Sequence, residues 1–229
     1  PYLLPPYGKG LTYMEQDELN EKVKDAHDAG YQISIHGIGD HTLDMILTAF
    51  ENAQAANPRK EHRHRIEHAS MSYPHLLERM KKLELDIDMN PAFLYFLGKS
   101  HVSAIADRVA YEFPMQSCFR MGIPVSIGSD CPIESCHPKY GLYAATVRRT
   151  IAGQDCGEKE RLTMEQALYA FTMAGAHHTF EEHKKGSITP GKVADLAVLN
   201  LDPLAIAPED ILGLEVLMTV LDGEIVYQA

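Results

Sequence analysis

The chain lacks an excess of positive charge. Its 21 lysines and arginines face 32 aspartates and glutamates, a net charge of −11. That balance argues against non-specific nucleic-acid binding and against docking on an anionic membrane. It also lacks an apolar run long enough to span a bilayer, and its first residues show no charged stretch leading into an apolar one, as a secretory leader would. The four cysteines, Cys118, Cys131, Cys136 and Cys156, show no paired C-x-x-C spacing. Free thiols in a reducing cytoplasm are the expectation. No low-complexity tract is present. The chain opens on Pro1 rather than on methionine, which points to a fragment or a processed product.

What is present is an ordinary globular composition, 45% hydrophobic and 23% charged over 229 residues, enough for one domain and an appendage. Histidine is abundant, with twelve residues, five of them between His36 and His68. The hydrophobic pattern alternates in type. Glu15–Ala29 has the spacing of a helix ended by Gly30. Tyr31–His36 alternates as a strand. Leu43, Ile46, Leu47 and Phe50 then form a helical stripe, with Asp40 as its expected N-cap. The unit recurs as strand Arg63–His68 and helix Tyr73–Leu83, then strand Asp86–Asn90, then helix Pro114–Met121 capped by Gly122, then strand Ile123–Gly128. Helices follow at Tyr140–Ile151 and Thr163–Ala176, the second opened by the capping-box pair Thr163 and Gln166. Alternation of this kind predicts an α/β fold with a parallel sheet, either open and doubly wound or a (β/α) barrel. From about residue 184 the pattern becomes β-rich, and Asp222-Gly223 between two β runs predicts a hairpin.

The predicted strands end in His36, His68, Asn90 and Asp130. In parallel α/β folds these ends share one face, where sites are built. Two imidazoles and a carboxylate suit a zinc-type ion, and an aspartate beside it can also take a proton. Gly37-x-Gly39 after a strand has a rival reading as a phosphate or dinucleotide cradle. Against it, Thr42 stands at the third glycine position, Glu67 lies too far along the chain, and a histidine precedes the first glycine.

Four motifs in order, H-G-I-G-D from His36, R-H-R-I-E-H-A from Arg63, G-S-D-C-P from Gly128 and K-G-S-I-T-P-G-K-V-A-D-L-A-V-L-N-L-D-P from Lys185, resemble the C-terminal half of metal-dependent amidohydrolases. The resemblance is to the branch that includes N-substituted formamide deformylase. It implies the second half of a TIM-type (β/α) barrel, strands five to eight, over residues 1–183, and part of a small β-sandwich over residues 184–229. It implies that His36 and His68 are metal ligands and that Asp130 is both ligand and proton acceptor. It further implies a divalent metal, zinc with iron or manganese as alternatives, and a small-molecule substrate with an amide or N-formyl C–N bond. The strand-one His-x-His pair and the bridging Lys or Glu of the family have no match. The expected chain is therefore an incomplete enzyme that forms an oligomer or pairs with a missing N-terminal half. A non-catalytic regulatory or assembly subunit is the alternative.

Other candidates carry weaker readings. Phe93, Tyr95 and His101, after the third strand, are expected either to wall a substrate site or simply to pack. Arg65 and Glu67 share a strand face and are expected to pair behind the site. Cys131 and Cys136 read as loop thiols, and His177, His178 and His183 as a solvated helix end.

Overall fold

In the computed structural model, residues 11–96 and 105–229 are described. The chain divides into two compact units, Pro1–Met89 with Leu97–Val125 and Asn90–Phe96 with Ser126–Ala229.

The first unit repeats a strand–helix pattern. Helix α1 (Gln16–Asp28) precedes strand β1 (Ser34–Gly37), helix α2 (Asp40–Ala56), strand β2 (Arg65–His68), helix α3 (Pro74–Lys82) and strand β3 (Asp86–Met89). β1 and β2 pair in parallel, as do β2 and β3. Strand β4 (Val125–Ile127) follows β3 in the order β1-β2-β3-β4, which leaves β1 at an edge. The N-cap of α2 is Gly39, and Asp40 is its first residue. The cap thus falls one residue earlier than expected, although Asp40 still uses its Oδ1 to accept the His41 N–H at 2.9 Å. Helix α2 buries Leu43, Ile46, Leu47 and Phe50, the predicted stripe. Gly37 is required for that packing. A Cβ there would come within 2.8 Å of Ile46 Cδ1 and 2.9 Å of Leu43 Cδ2. The glycine therefore brings helix and strand together.

Below the strands, three buried histidines tie α1 to the starts of β1 and β2. The Ile33 N–H donates to His64 Nδ1 at 3.0 Å, so the neutral His64 ring carries its proton on Nε2. That Nε2–H faces His27 Nδ1 at 2.8 Å, which places the His27 proton on Nε2, where it meets the Asn57 carbonyl at 2.7 Å. The His64 N–H donates to His62 Nδ1 at 2.9 Å, and His62 Nε2 faces the Leu83 carbonyl at 3.1 Å. One assignment of tautomers satisfies all six ring nitrogens, and it requires three neutral rings. Burial pushes the His64 pKa down to about 3, helped by His62 and His27, and burial lowers His62 as well.

The second unit begins with helix α4 (Ala92–Phe96) and resumes inside β4. Helix α5 (Met115–Met121) belongs to the first unit and ends at Gly122, whose φ of +65° makes the left-handed cap. Then come helices α6 (Pro138–Thr146), α7 (Met164–Phe171) and α8 (Met173–His178). Thr163 and Gln166 form the predicted capping box. The single predicted helix Thr163–Ala176 is broken at Thr172, whose Oγ1 donates to the Leu168 carbonyl at 2.7 Å. Strands β5 (Leu196–Leu199), β6 (Val216–Leu221) and β7 (Glu224–Gln228) form an antiparallel sheet in that order. The turn between β6 and β7 is Asp222-Gly223, with φ of +50° and +84°, as the hairpin signal predicts.

Candidate active site

The ends of β1 and β2 bring together residues that regular strand geometry would separate. In the parallel register Ser34 stands opposite Arg65, His36 opposite Glu67, and Gly37 opposite His68. Ser34, His36, Arg65 and Glu67 thus share one sheet face, and an extended His68 would present its ring on the other. The chain leaves the extended conformation there. His68 has φ +69° and Ala69 φ +42°, sparsely populated values that tertiary contacts must hold in place. The contacts are backbone hydrogen bonds on both sides. Met71 N–H donates to the Ile38 carbonyl at 3.0 Å, Ser72 N–H to Tyr111 at 3.1 Å, and Phe113 N–H to Ser70 at 2.8 Å. With the chain turned, the His36 and His68 rings lie edge to face with centroids 4.5 Å apart. His36 is exposed and His68 is 8% exposed.

The Arg65–Glu67 pair forms as expected, with Nε to Oε1 at 2.6 Å, and the Ser34 hydroxyl donates to the same carboxylate. By register it occupies the face of His36 rather than lying behind it. It fixes Glu67 beside that histidine.

A cavity of about 570 Å³ opens at this end of β1 and β2, within the range of small-molecule sites. His36 and Asp40 line it, with apolar walls from Leu19, Ile38, Met45 and Ile46. Its far wall is built from Ser70 and Met71 after β2 and from Ile105, Arg108 and Glu112. Glu112 accepts from the Ser70 hydroxyl at 3.3 Å, and Met71 and Glu112 form a β-bridge. None of these far-wall residues stands out in the sequence. They lie tens of residues from His36, in stretches without regular strand or helix periodicity, and they reach the cavity through the Met71–Glu112 bridge.

The remaining candidates belong to the second unit. Asp130 is exposed, has φ +56°, and its carbonyl accepts the Ile133 N–H at 2.8 Å. Tyr95 is buried against Phe96, Tyr140 and Tyr143, at centroid distances of 4.9, 5.6 and 5.4 Å. Burial raises its pKa, with Tyr140 and Tyr143 adding to the effect. Phe93 is half-buried on the same helix. His101 lies outside the described residues. Cys131 and Cys136 are exposed free thiols, and His137 caps α6 by accepting the Lys139 N–H. His178 departs from the expected solvated helix end. It is buried, and its Nδ1 meets Ser126 Oγ at 2.9 Å.

Two adjacent imidazoles supply a suitable pair of donors for a zinc-type ion. Among the described residues, no group of three or more His, Cys, Asp or Glu side chains is gathered closely enough to hold one. The donors present fit part of a coordination shell.

Comparison with known proteins agrees with this geometry. The sequence pattern of the Amidohydrolase family matches residues 1–227. YtcJ of Bacillus subtilis (strain 168) is 30% identical over 240 residues, covering 100% of this chain and 43% of that protein. N-substituted formamide deformylase of Arthrobacter pascens is 29% identical over 221 residues, covering 96% of this chain and 41% of the other. An uncharacterized metal-dependent hydrolase from Pyrococcus horikoshii OT3 superposes with a TM-score of 0.78 at 27% identity, over 91% of this chain and 42% of that structure. The chain thus spans about two fifths of the length of these relatives. A parallel strand–helix repeat whose first two strand ends join two imidazoles beside a ligand-sized cavity, matched over nearly its whole length by one family's pattern, makes this chain a member of the amidohydrolase family.

Proposed function

We propose that the chain is the catalytic C-terminal portion of a divalent-metal hydrolase that cleaves a non-peptide C–N bond of the amide or N-formyl type. The observation that carries this reading is the His36–His68 pair, with ring centroids 4.5 Å apart, of which His36 lines the cavity. In this reading the parallel strands are the second half of a (β/α) barrel over residues 1–183. The antiparallel strands β5–β7 are part of a β-sandwich over residues 184–229. The remaining strands and metal ligands come from an N-terminal half or from a partner copy.

His36 and His68 would hold the ion through imidazole nitrogens, and Asp130 would add a carboxylate. A divalent ion, zinc first and iron or manganese next, supplies Lewis acidity and a water of lowered pKa. Asp130 would serve as the proton acceptor, its carboxylate able to take a proton from water and to pass one to the leaving amine. Glu67, fixed by Arg65 and Ser34, holds a negative charge beside His36 and favours its orientation. Phe93 and Tyr95 supply aromatic surface to the substrate side. Free thiols and the lack of any described helix long and apolar enough to cross a membrane suit a cytoplasmic enzyme.

The test is metal content together with hydrolysis. Elemental analysis of gently purified protein is expected to show zinc, iron or manganese. Both His36→Ala and His68→Ala should remove it, and Asp130→Asn should lower turnover of formamide and amide substrates by at least about a hundredfold. A chain that takes up none of these metals, alone or with its N-terminal portion, would overturn the reading.

A further inference from the structure

The cavity that His36 lines also carries an arginine with no carboxylate partner among the described residues. Arg108 sits in the 3-10 turn Ala106–Tyr111 and lines the cavity. Its hydrogen bond is a long one, from Nε to the Ile105 carbonyl at 3.3 Å. Its Nη2 is shut off from solvent and has no acceptor. Among the described residues, no carboxylate forms an ion pair with it. An arginine cannot shed its proton to escape such a position, and a buried guanidinium nitrogen without an acceptor costs stability. Two carboxylates share the cavity and take neutral donors. Asp40 holds the His41 N–H of its own helix, and Glu112 holds the Ser70 hydroxyl.

We infer that Arg108 is a specificity residue that anchors a carboxylate on the ligand of this cavity. The guanidinium presents planar, parallel N–H donors that match a carboxylate fork. The apolar walls, Leu19, Met45, Ile46 and Ile105 among them, fit a hydrocarbon body. The ligand class is therefore an aliphatic or aryl acid, its carboxylate at Arg108 and its body reaching toward His36. This deepens the hydrolase reading, on which it rests for treating the cavity as a substrate pocket. Binding itself requires no metal.

The experiment compares two probes of nearly equal shape, hexanoate and hexanamide, by calorimetric titration of the metal-free chain. Hexanoate is expected to bind at least tenfold more tightly. Arg108→Gln should erase that difference, and Arg108→Lys, which keeps the charge without the fork, should restore part of it. Equal affinity for the two probes in the unaltered chain would overturn the inference, as would hexanoate binding that survives Arg108→Gln unchanged. If Arg108→Gln does not fold, methyl spectra of the unaltered chain decide. Hexanoate must shift the Ile105 and Met71 methyl signals, and silence there overturns the proposal. A chain that binds zinc yet treats both probes alike loses this inference and keeps the hydrolase reading. A chain that takes no metal but selects hexanoate does the reverse.

Discussion

At the scale of single residues, backbone and protonation decide more than side-chain identity. The His68 ring meets that of His36 where its φ of +69° turns it out of the ladder. The histidines at the opposite strand ends are held by their neutrality. Protonating His64 would put a proton on Nδ1, where the Ile33 N–H already points. Its folded pKa, about 3, lies below the value near 6.5 of an open chain. Between those values the unfolded chain binds a proton that the folded chain refuses. The stabilisation is complete above about pH 6.5 and is lost as pH falls toward 3, at up to about 1.4 kcal/mol per unit. Urea unfolding at a series of pH values from 7.5 to 4.5 is expected to show this decline. A His64→Gln variant, less stable at neutral pH, should show a shallower slope. Parallel slopes in the two proteins would refute the assignment.

At the scale of elements, the strand–helix unit β1–α2 depends on one missing methyl. Gly37 is the last strand residue, and Leu43 and Ile46 of α2 occupy the space a Cβ would need. The obstructing atoms are side-chain ends, so Gly37→Ala should fold with the helix displaced, at a cost of about 1–3 kcal/mol. Thermal unfolding measures the loss. Because the displaced helix carries Met45 and Ile46 into the cavity wall, the same variant should weaken ligand binding there. Gly39→Ala makes the useful contrast. Nothing lies within 4 Å of its Cβ position and its φ of −80° is ordinary, so a change of less than about 1 kcal/mol is expected.

At the scale of the whole molecule, surfaces are left uncovered. β1 is an edge strand, and Ser34 and His36 on it are exposed. In the other unit, Leu221, Ile225, Val226 and Tyr227 of the antiparallel sheet are exposed as well. Open edges and apolar sheet faces favour association. Sedimentation velocity is expected to show concentration-dependent association of the chain, relieved by adding a separately produced N-terminal portion. A strictly monomeric chain with no affinity for that portion would count against the half-barrel proposal.

Most of the strand–helix order was legible in the sequence, because local chemistry specifies it. Period-two and period-3.6 patterns, the Thr163–Gln166 capping box, the left-handed Gly122 and the Asp222-Gly223 turn each act within a few residues. His36 and His68 were legible as candidates for the same reason, since a strand end is a local feature. The broken helix at Thr172 and the burial of His178 were not, because each depends on hydrogen bonds and packing that the spacing of apolar residues does not encode. The neutral histidine cluster joins residues 37 positions apart, and the Ser70–Glu112 contact joins residues 42 apart. Arg108 reaches the cavity in a segment tied down by long-range contacts of the same kind, the Met71–Glu112 bridge among them. The sequence by itself determined where strands end and which chemistry stands there. Only the tertiary structure decided which distant residues close the cavity around it, because chain closure over tens of residues is governed by packing of whole elements and leaves no periodic mark in the residues it joins.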